Sequence, residues 1–148
     1  MEPLKRQIWF TGRVARTRYA VTMILVLAGG WALHLLAQAV AYAIPLVFPF
    51  IGATSIVAEF LLLWLTFTLS ARRLHDLGRS GWWQLAPLAA TTALLALAEP
   101  SWIQALGLNE YVADVAILAA FAVYFGFLFS LALVRSDPNS NRFGPAPA

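Results

Sequence analysis

The residues with the greatest capacity for chemistry lie close together between positions 72 and 83. Three arginines, a histidine, an aspartate, a serine and two tryptophans occur there in the run Arg-Arg-Leu-His-Asp-Leu-Gly-Arg-Ser-Gly-Trp-Trp. Guanidinium groups bind oxyanions through forked N–H donors, and the free N–H groups at the start of a helix attract anions as well. The run is therefore a candidate anion site, with Arg72, Arg73, Arg79, Ser80 and Trp82 as its members. The favoured interpretation is that these arginines are structural and that Asp76 holds one of Arg72, Arg73 or Arg79 in place.

His75 and Asp76 invite a catalytic or metal-binding interpretation, but the sequence supplies little to complete such a site. A catalytic centre needs a nucleophile and an oriented partner within about 3 Å of each other. The chain has no cysteine and only two histidines, on separate segments, which is a thin supply of metal ligands. It also has no Gly-rich phosphate loop, no Gly-x-Ser-x-Gly and no His-Glu-x-x-His. We predict no catalytic residue, no metal and no cofactor.

The elements that must position these residues follow from composition. Hydrophobic residues make up 61% of the chain and charged residues only 11%, which leaves too little polar surface for a soluble globule of this size. Four apolar runs are long enough to cross a hydrocarbon core of about 30 Å as helices, at residues 19–43, 50–71, 82–98 and 112–134. The predicted fold is all-α, a four-helix transmembrane bundle.

The distribution of basic residues predicts how the bundle is oriented. All ten Lys and Arg residues fall before the first run, between the second and third, or after the fourth. By the positive-inside rule, both termini are then cytoplasmic. Attraction to anionic lipid headgroups accounts for the formal charge of +3, and we predict no nucleic-acid partner. A cleaved signal peptide ending near Ala39-Val40-Ala41 is the main alternative for the first run, but that run is longer than a typical signal core.

Three segments are predicted. Residues 1–18 mix cations with aromatic and aliphatic side chains, which is typical of a helix lying in the headgroup plane. Residues 19–134 form the membrane domain. Residues 135–148 are polar and rich in Pro, Gly and Asn, so they are expected to run extended along the cytoplasm.

Polar residues inside the apolar runs form a second candidate site. Counting about 1.5 Å per residue places His34 and Glu59 at nearly the same depth, so we expect them to pair. Gln38 shares a helix face with His34, and Thr91 and Thr92 are expected to complete a polar patch. An ionisable side chain within a membrane is by default a functional hypothesis. The favoured interpretation is nevertheless a protonated Glu59 that only locks helices together through hydrogen bonds.

Three short motifs resemble a known family. They are Phe10-Thr11-Gly12-Arg13, the run at 72–83 and Asn141-Arg142-Phe143-Gly144-Pro145. In this order and in this relation to the apolar runs, they resemble the small bacterial inner-membrane family catalogued as domain of unknown function 805. The resemblance implies a four-helix inner-membrane protein of undefined activity. The family pattern usually has an aromatic pair where this chain has Tyr19-Ala20.

These observations predict a non-enzymatic module of the bacterial inner membrane, which binds membrane lipids or a partner through a basic cytoplasmic face. The expected lipids are anionic, and the expected protein partner is a second copy or another membrane protein. The alternative function is a small transporter or channel subunit that uses His34 and Glu59. A third is a lipid-modifying enzyme that uses the run at 72–83.

Overall fold

The computed structural model describes residues 11–44, 46, 48–109 and 111–146. The described residues form helices and no β-strand, apart from an isolated bridge between Asn141 and Gly144. The helices are α1 (Arg16–Ala43), α2 (Phe48–Asp76), a 3₁₀ turn (Gly81–Gln84), α3 (Leu85–Leu97), α4 (Pro100–Ala105) and α5 (Tyr111–Leu133). Most of the predicted interfacial helix at residues 1–18 lies outside the described residues, and residues 11–15 are not helical.

Three helical stretches are long and apolar enough to cross a membrane. They are Arg16–Ala43, Phe50–Asp76 and Tyr111–Leu133, with mean hydropathies of 2.0, 1.9 and 2.3. The third predicted run, at 82–98, consists of the 3₁₀ turn followed by α3, which has 13 residues. This helix ends early because Glu99 precedes Pro100 and adopts an extended conformation with ψ of 128°, as residues before proline do.

Helix α2 continues past the predicted end at residue 71 and stops at Asp76. Its last turn carries Arg73 and His75, whose positive charge when protonated opposes the negative end of the helix dipole. Gly78 follows the end of the helix and has a φ of 72°. The N–H of Arg79 donates to the carbonyl of Leu74 at 2.9 Å and that of Gly78 to His75 at 3.0 Å, which is a Schellman ending. Arg72, Arg73, His75 and Asp76 are therefore helical, and the loop begins only at Leu77.

The helices pack as two hairpins, α1 against α2 and α3 against α5. The buried apolar cluster that joins them lies where α1 begins and where α2 and α5 end, and consists of Val14, Tyr19, Met23, Leu74, Leu128 and Leu131. We call this the closed end. Towards the opposite ends of α1 and α2, large apolar side chains such as Leu36 and Phe60 are exposed. The α1–α2 hairpin is therefore joined to the α3–α5 hairpin chiefly at the closed end.

Candidate functional site: a buried charge cluster and an adjoining groove

A buried cluster of opposite charges lies at the closed end. Arg73 and Asp76 are fully buried, and Arg13 is 8% exposed. Oδ1 of Asp76 accepts a hydrogen bond from Nε of Arg13 at 3.0 Å, and Oδ2 accepts one from Nη1 of Arg73. One carboxylate thus joins two guanidinium groups from segments 60 residues apart in sequence. Charge-assisted hydrogen bonds of this kind are among the strong ones in proteins.

The other donors of Arg73 are used at the C-terminal end of α5. Its Nε donates to the carbonyl of Leu131 at 2.9 Å, and its Nη2 donates to the carbonyl of Val134. The Oγ of Ser136 accepts from Nη1 at 2.9 Å. Carbonyls in the last turn of a helix lack intrahelical partners and carry partial negative charge. Arg73 of α2 therefore caps the neighbouring helix α5.

Arg13 performs a corresponding role for the segment after α5. Its Nη1 donates to the carbonyl of Asn139 at 2.6 Å and to that of Gly144 at 3.3 Å, and its Nη2 donates to the carbonyl of Asp137. The backbone of residues 137–144 curls around this guanidinium. The segment after α5 is therefore non-helical, yet it is fixed against the bundle.

His75 of α2 contacts both the segment before α1 and the segment after α5. None of the contacts described for it is with a catalytic partner. Its ring stacks on Phe143 with centroids 3.9 Å apart and planes at 6°. Its Nδ1 lies 3.3 Å from the carbonyl oxygen of Gly12, and its own carbonyl accepts from Nδ2 of Asn141 at 3.0 Å. The three sequence motifs therefore meet in one place, which we call the three-motif cluster: Gly12, Arg13, Arg73, His75, Asp76, Asn141, Phe143 and Gly144.

A groove of about 600 Å³ adjoins this cluster. Most of its lining is apolar, and charged side chains are contributed by Arg79, Arg135 and Asp137; the other lining residues are Leu74, Leu77, Trp83, Ala86, Pro87, Phe127, Ser130, Leu131 and Val134. The guanidinium carbon of Arg79 lies 5.3 Å from the ring centroid of Trp83. Arg79 and Arg135 are exposed, and neither lies within ion-pair distance of a carboxylate among the described residues. Both cations are thus free to bind an anion.

The structure separates the five residues that we predicted as an anion site. Arg79 lines the groove, whereas Arg73 has no exposed surface and donates only within the protein. Arg72 is half-buried in the last turn of α2. Ser80 caps the 3₁₀ turn by accepting from the N–H of Trp82 at 3.5 Å, and Trp82 is 75% exposed. Trp83 and Arg135 line the groove but were not in the predicted set.

Asp76 does hold an arginine in place, and that arginine is Arg73, with Arg13 as a second partner that the sequence analysis did not include. The signal for Arg13 was its position in the first of the three motifs. Arg135 gave no comparable signal, because only the packing of α5 against the loop after α2 brings it to the groove.

The polar residues within the apolar helices lie in two places. His34 and Glu59 face each other with Nδ1 and Oε1 3.9 Å apart, and Nε2 of Gln38 lies 2.7 Å from Nε2 of His34. Thr91 donates to the carbonyl of Ala120 at 3.5 Å and Thr92 to that of Leu88 at 2.9 Å. The two threonine hydroxyls are thus used within the α3–α5 hairpin.

No group of three or more acidic, histidine or cysteine side chains placed to hold a metal ion occurs in the part of the chain that the structure describes.

Helices of this length and hydropathy define the class of the protein, which is an all-helical, multi-pass membrane protein. The family model described as "Protein of unknown function (DUF805)" matches residues 8–145, so the chain belongs to that family, and the resemblance drawn from the three motifs is confirmed. No curated protein and no solved structure matches the chain.

Proposed function

We propose that the protein is a non-enzymatic module of the bacterial inner membrane, and that the groove beside Arg79 binds the headgroup of an anionic lipid. The observation that carries the proposal is a pair of exposed guanidinium groups, Arg79 and Arg135, with no ion-pair partner among the described residues, on an otherwise largely apolar groove. An anionic phospholipid matches such a groove, because its phosphate pairs with cations and its acyl chains contact apolar surface.

The orientation proposed for the chain has four crossings and both ends in the cytoplasm. In its support, Arg13 before α1 contacts Asn139 after α5, and an up-and-down bundle whose two ends meet has an even number of crossings. The 3₁₀ turn and α3 together extend about 28 Å, close to the thickness of a hydrocarbon core. The connections at residues 44–47 and 98–110 contain no Lys or Arg. The closed end then faces the cytoplasm, where the anionic surface potential acts.

The groove suits a phospholipid at headgroup depth. Phe127 and Val134 offer apolar surface for the upper acyl chain, while the phosphate lies between Arg79 and Arg135. Trp83 provides the aromatic ring that interfacial segments commonly place at the headgroup level. Asp137 leaves the groove with an excess of one positive charge, and its Oδ1 already accepts from the N–H of Asn139 at 3.0 Å.

The test compares lipid retention by single variants that each remove one arginine. Arg79→Ala and Arg135→Ala are expected to retain phosphatidylglycerol about tenfold less than the unaltered protein in native mass spectrometry, since a charge-assisted hydrogen bond contributes about 1.5–3 kcal/mol. Arg142→Ala is the matched control, because Arg142 is an exposed arginine that stacks on Phe143 and does not line the groove. Equal retention by all three variants, or equal retention of phosphatidylcholine, would contradict a specific site.

A small transporter or channel subunit is the second candidate, and the exposed His34–Glu59 pair is the observation that favours it. Glu59→Gln keeps the shape of the side chain and removes its charge. Loss of a proton flux in proteoliposomes by this variant, with folding intact, would favour transport over lipid binding. The absence of a flux in both proteins would leave lipid binding as the better account.

A further inference from the structure

A pair of polar side chains, His34 and Glu59, lies on the outside of the α1–α2 hairpin, far from the closed end. The side chains of His34 and Glu59 are 53% and 65% exposed. His34 is 18 residues beyond the start of α1 and Glu59 is 17 residues before the end of α2, which places both about 26 Å from the closed end. Charged and strongly polar side chains at such a position in a spanning helix are rare and almost always face protein or water rather than lipid.

Helical periodicity shows that this pair is the centre of one continuous face. Gly30 of α1 approaches Leu62 of α2 so closely that an added Cβ would lie 2.7 Å from Leu62 Cδ1, which marks the seam between the two helices. On one side of this seam, α1 places Leu27, Trp31, His34 and Gln38, and α2 places Gly52, Ile56, Glu59 and Leu63. We call these eight residues the α1–α2 face.

The α1–α2 face is uncovered in the single chain. Trp31 is 72% exposed, Ile56 57% and Leu63 50%. A side chain added at Gly52 would meet no atom of the chain within 4 Å, so the backbone of α2 is open to a neighbour there. Small residues that expose backbone, together with polar side chains, are the features that hold helices together inside membranes, where apolar area alone gives no drive to associate.

We infer that the α1–α2 face binds a second copy of this chain within the membrane. The face contains both a carboxylate acceptor and the donors that match it, on His34 and Gln38. A two-fold axis through the face would set Glu59 of each copy against His34 and Gln38 of the other, as an isologous interface requires. The inference is independent of the groove at the closed end and goes beyond lipid binding.

Because the chain contains no cysteine, a single introduced cysteine is a unique site for disulfide cross-linking. Leu63→Cys lies one turn from Glu59 on the α1–α2 face, whereas Leu61→Cys is about 160° away from Glu59 around the helix. In liposomes treated with copper phenanthroline, Leu63→Cys is expected to form disulfide-linked dimers. Leu61→Cys is the matched control, since the wild-type leucine is exposed at both positions, 59% at Leu61 and 50% at Leu63.

The role of the His34–Glu59 pair is tested by Glu59→Leu in the same liposomes. A two-fold dimer contains the Glu59 contact twice, so the substitution removes two contacts at once. The dissociation constant of the dimer is therefore expected to rise about tenfold. It is measured by the energy transfer between labelled copies at varied lipid dilution. Circular dichroism and thermal unfolding verify that the variant remains folded. A protein that stays monomeric at every dilution, a dimer that Glu59→Leu leaves unchanged, or preferential cross-linking of Leu61→Cys would each overturn the inference.

Discussion

Asp76 is the anion that pairs with both arginines of the buried cluster at the closed end. It is fully buried and accepts hydrogen bonds from both Arg13 and Arg73. Two cations and one anion leave the cluster with an excess positive charge, which the carbonyls of residues 131–144 offset. Breaking a buried ion pair costs more than the pair itself contributes, because the remaining charge stays buried without a partner.

Replacement of Asp76 by Asn should therefore destabilise the protein strongly. We expect Asp76→Asn to lower the free energy of unfolding by about 3–5 kcal/mol, since two guanidinium groups then lack their anion. The measurement is thermal unfolding in detergent or nanodiscs, followed by circular dichroism. Asp114→Asn makes the same chemical change at an exposed position in the first turn of α5, where a change below about 0.5 kcal/mol is expected. Similar losses in both variants would exclude a special role for Asp76.

The sequence could identify the arginines but not their separate roles. Arg73 and Arg79 have the same side chain and lie six positions apart, yet one is buried and the other lines the groove. The difference is set by α5 and the segment that follows it, about 60 residues further along the chain. Interactions of that range leave no trace in the local composition around either arginine.

Three glycines differ in how much space an added side chain would find. At Gly81 an added Cβ would lie 2.9 Å from the Cβ and 3.4 Å from the Cα of Ala71, and neither atom can move without moving α2. At Gly30 the nearest atom is the flexible end of Leu62. At Gly126 no atom lies within 4 Å, and the residue lies inside α5.

Alanine at these three glycines should therefore give a graded series of stabilities. Gly81→Ala is expected to cost about 1–3 kcal/mol through overpacking, and Gly30→Ala less than that. Gly126→Ala is expected to stabilise the protein by about 0.5–1 kcal/mol, because alanine favours a helix interior. Chemical or thermal unfolding of the three variants under identical conditions gives the order. If Gly126→Ala were the most destabilising, the packing described here would be wrong.

The helices themselves were largely predictable, and their ends were not. Apolar runs of about 20 residues predicted α1, α2 and α5 to within a few residues. The end of α2 was predicted at residue 71 because charged residues begin there. The helix continues to Asp76, since the charges of Arg73 and Asp76 are satisfied by other parts of the chain. The short helix α4 was not predicted, because Pro100–Ala105 is too brief to show a hydrophobic period.

In the molecule as a whole, the two hairpins are joined at the closed end. Residues 12–14 contact α2 and the segment after α5 at the closed end, whereas α4 follows α3 at the opposite end. This arrangement has a direct consequence for labelling. Single cysteines at Thr11 and Ser140 should react together from one side of the membrane, and one at Gln104 from the other side.

The expected result in intact cells is labelling of Gln104→Cys by a membrane-impermeant maleimide. Thr11→Cys and Ser140→Cys should react only after the membrane is permeabilised. All three wild-type residues are exposed, so protein packing does not account for a difference in reactivity. If Thr11→Cys and Ser140→Cys reacted from opposite sides, the chain would cross the membrane an odd number of times and the proposed topology would be wrong.

The capping of α5 by Arg73 and the curl of residues 137–144 around Arg13 also constrain the order of biosynthesis. Arg13 precedes its acceptors at Asp137, Asn139 and Gly144 by 124 to 131 positions, so the first hairpin is translated while those carbonyls do not yet exist. Closure of the cluster is therefore a late event in biogenesis. A chain that ends before residue 137 keeps the carboxylate of Asp76 for Arg13 but lacks the carbonyls of Asp137, Asn139 and Gly144 that accept from the same guanidinium.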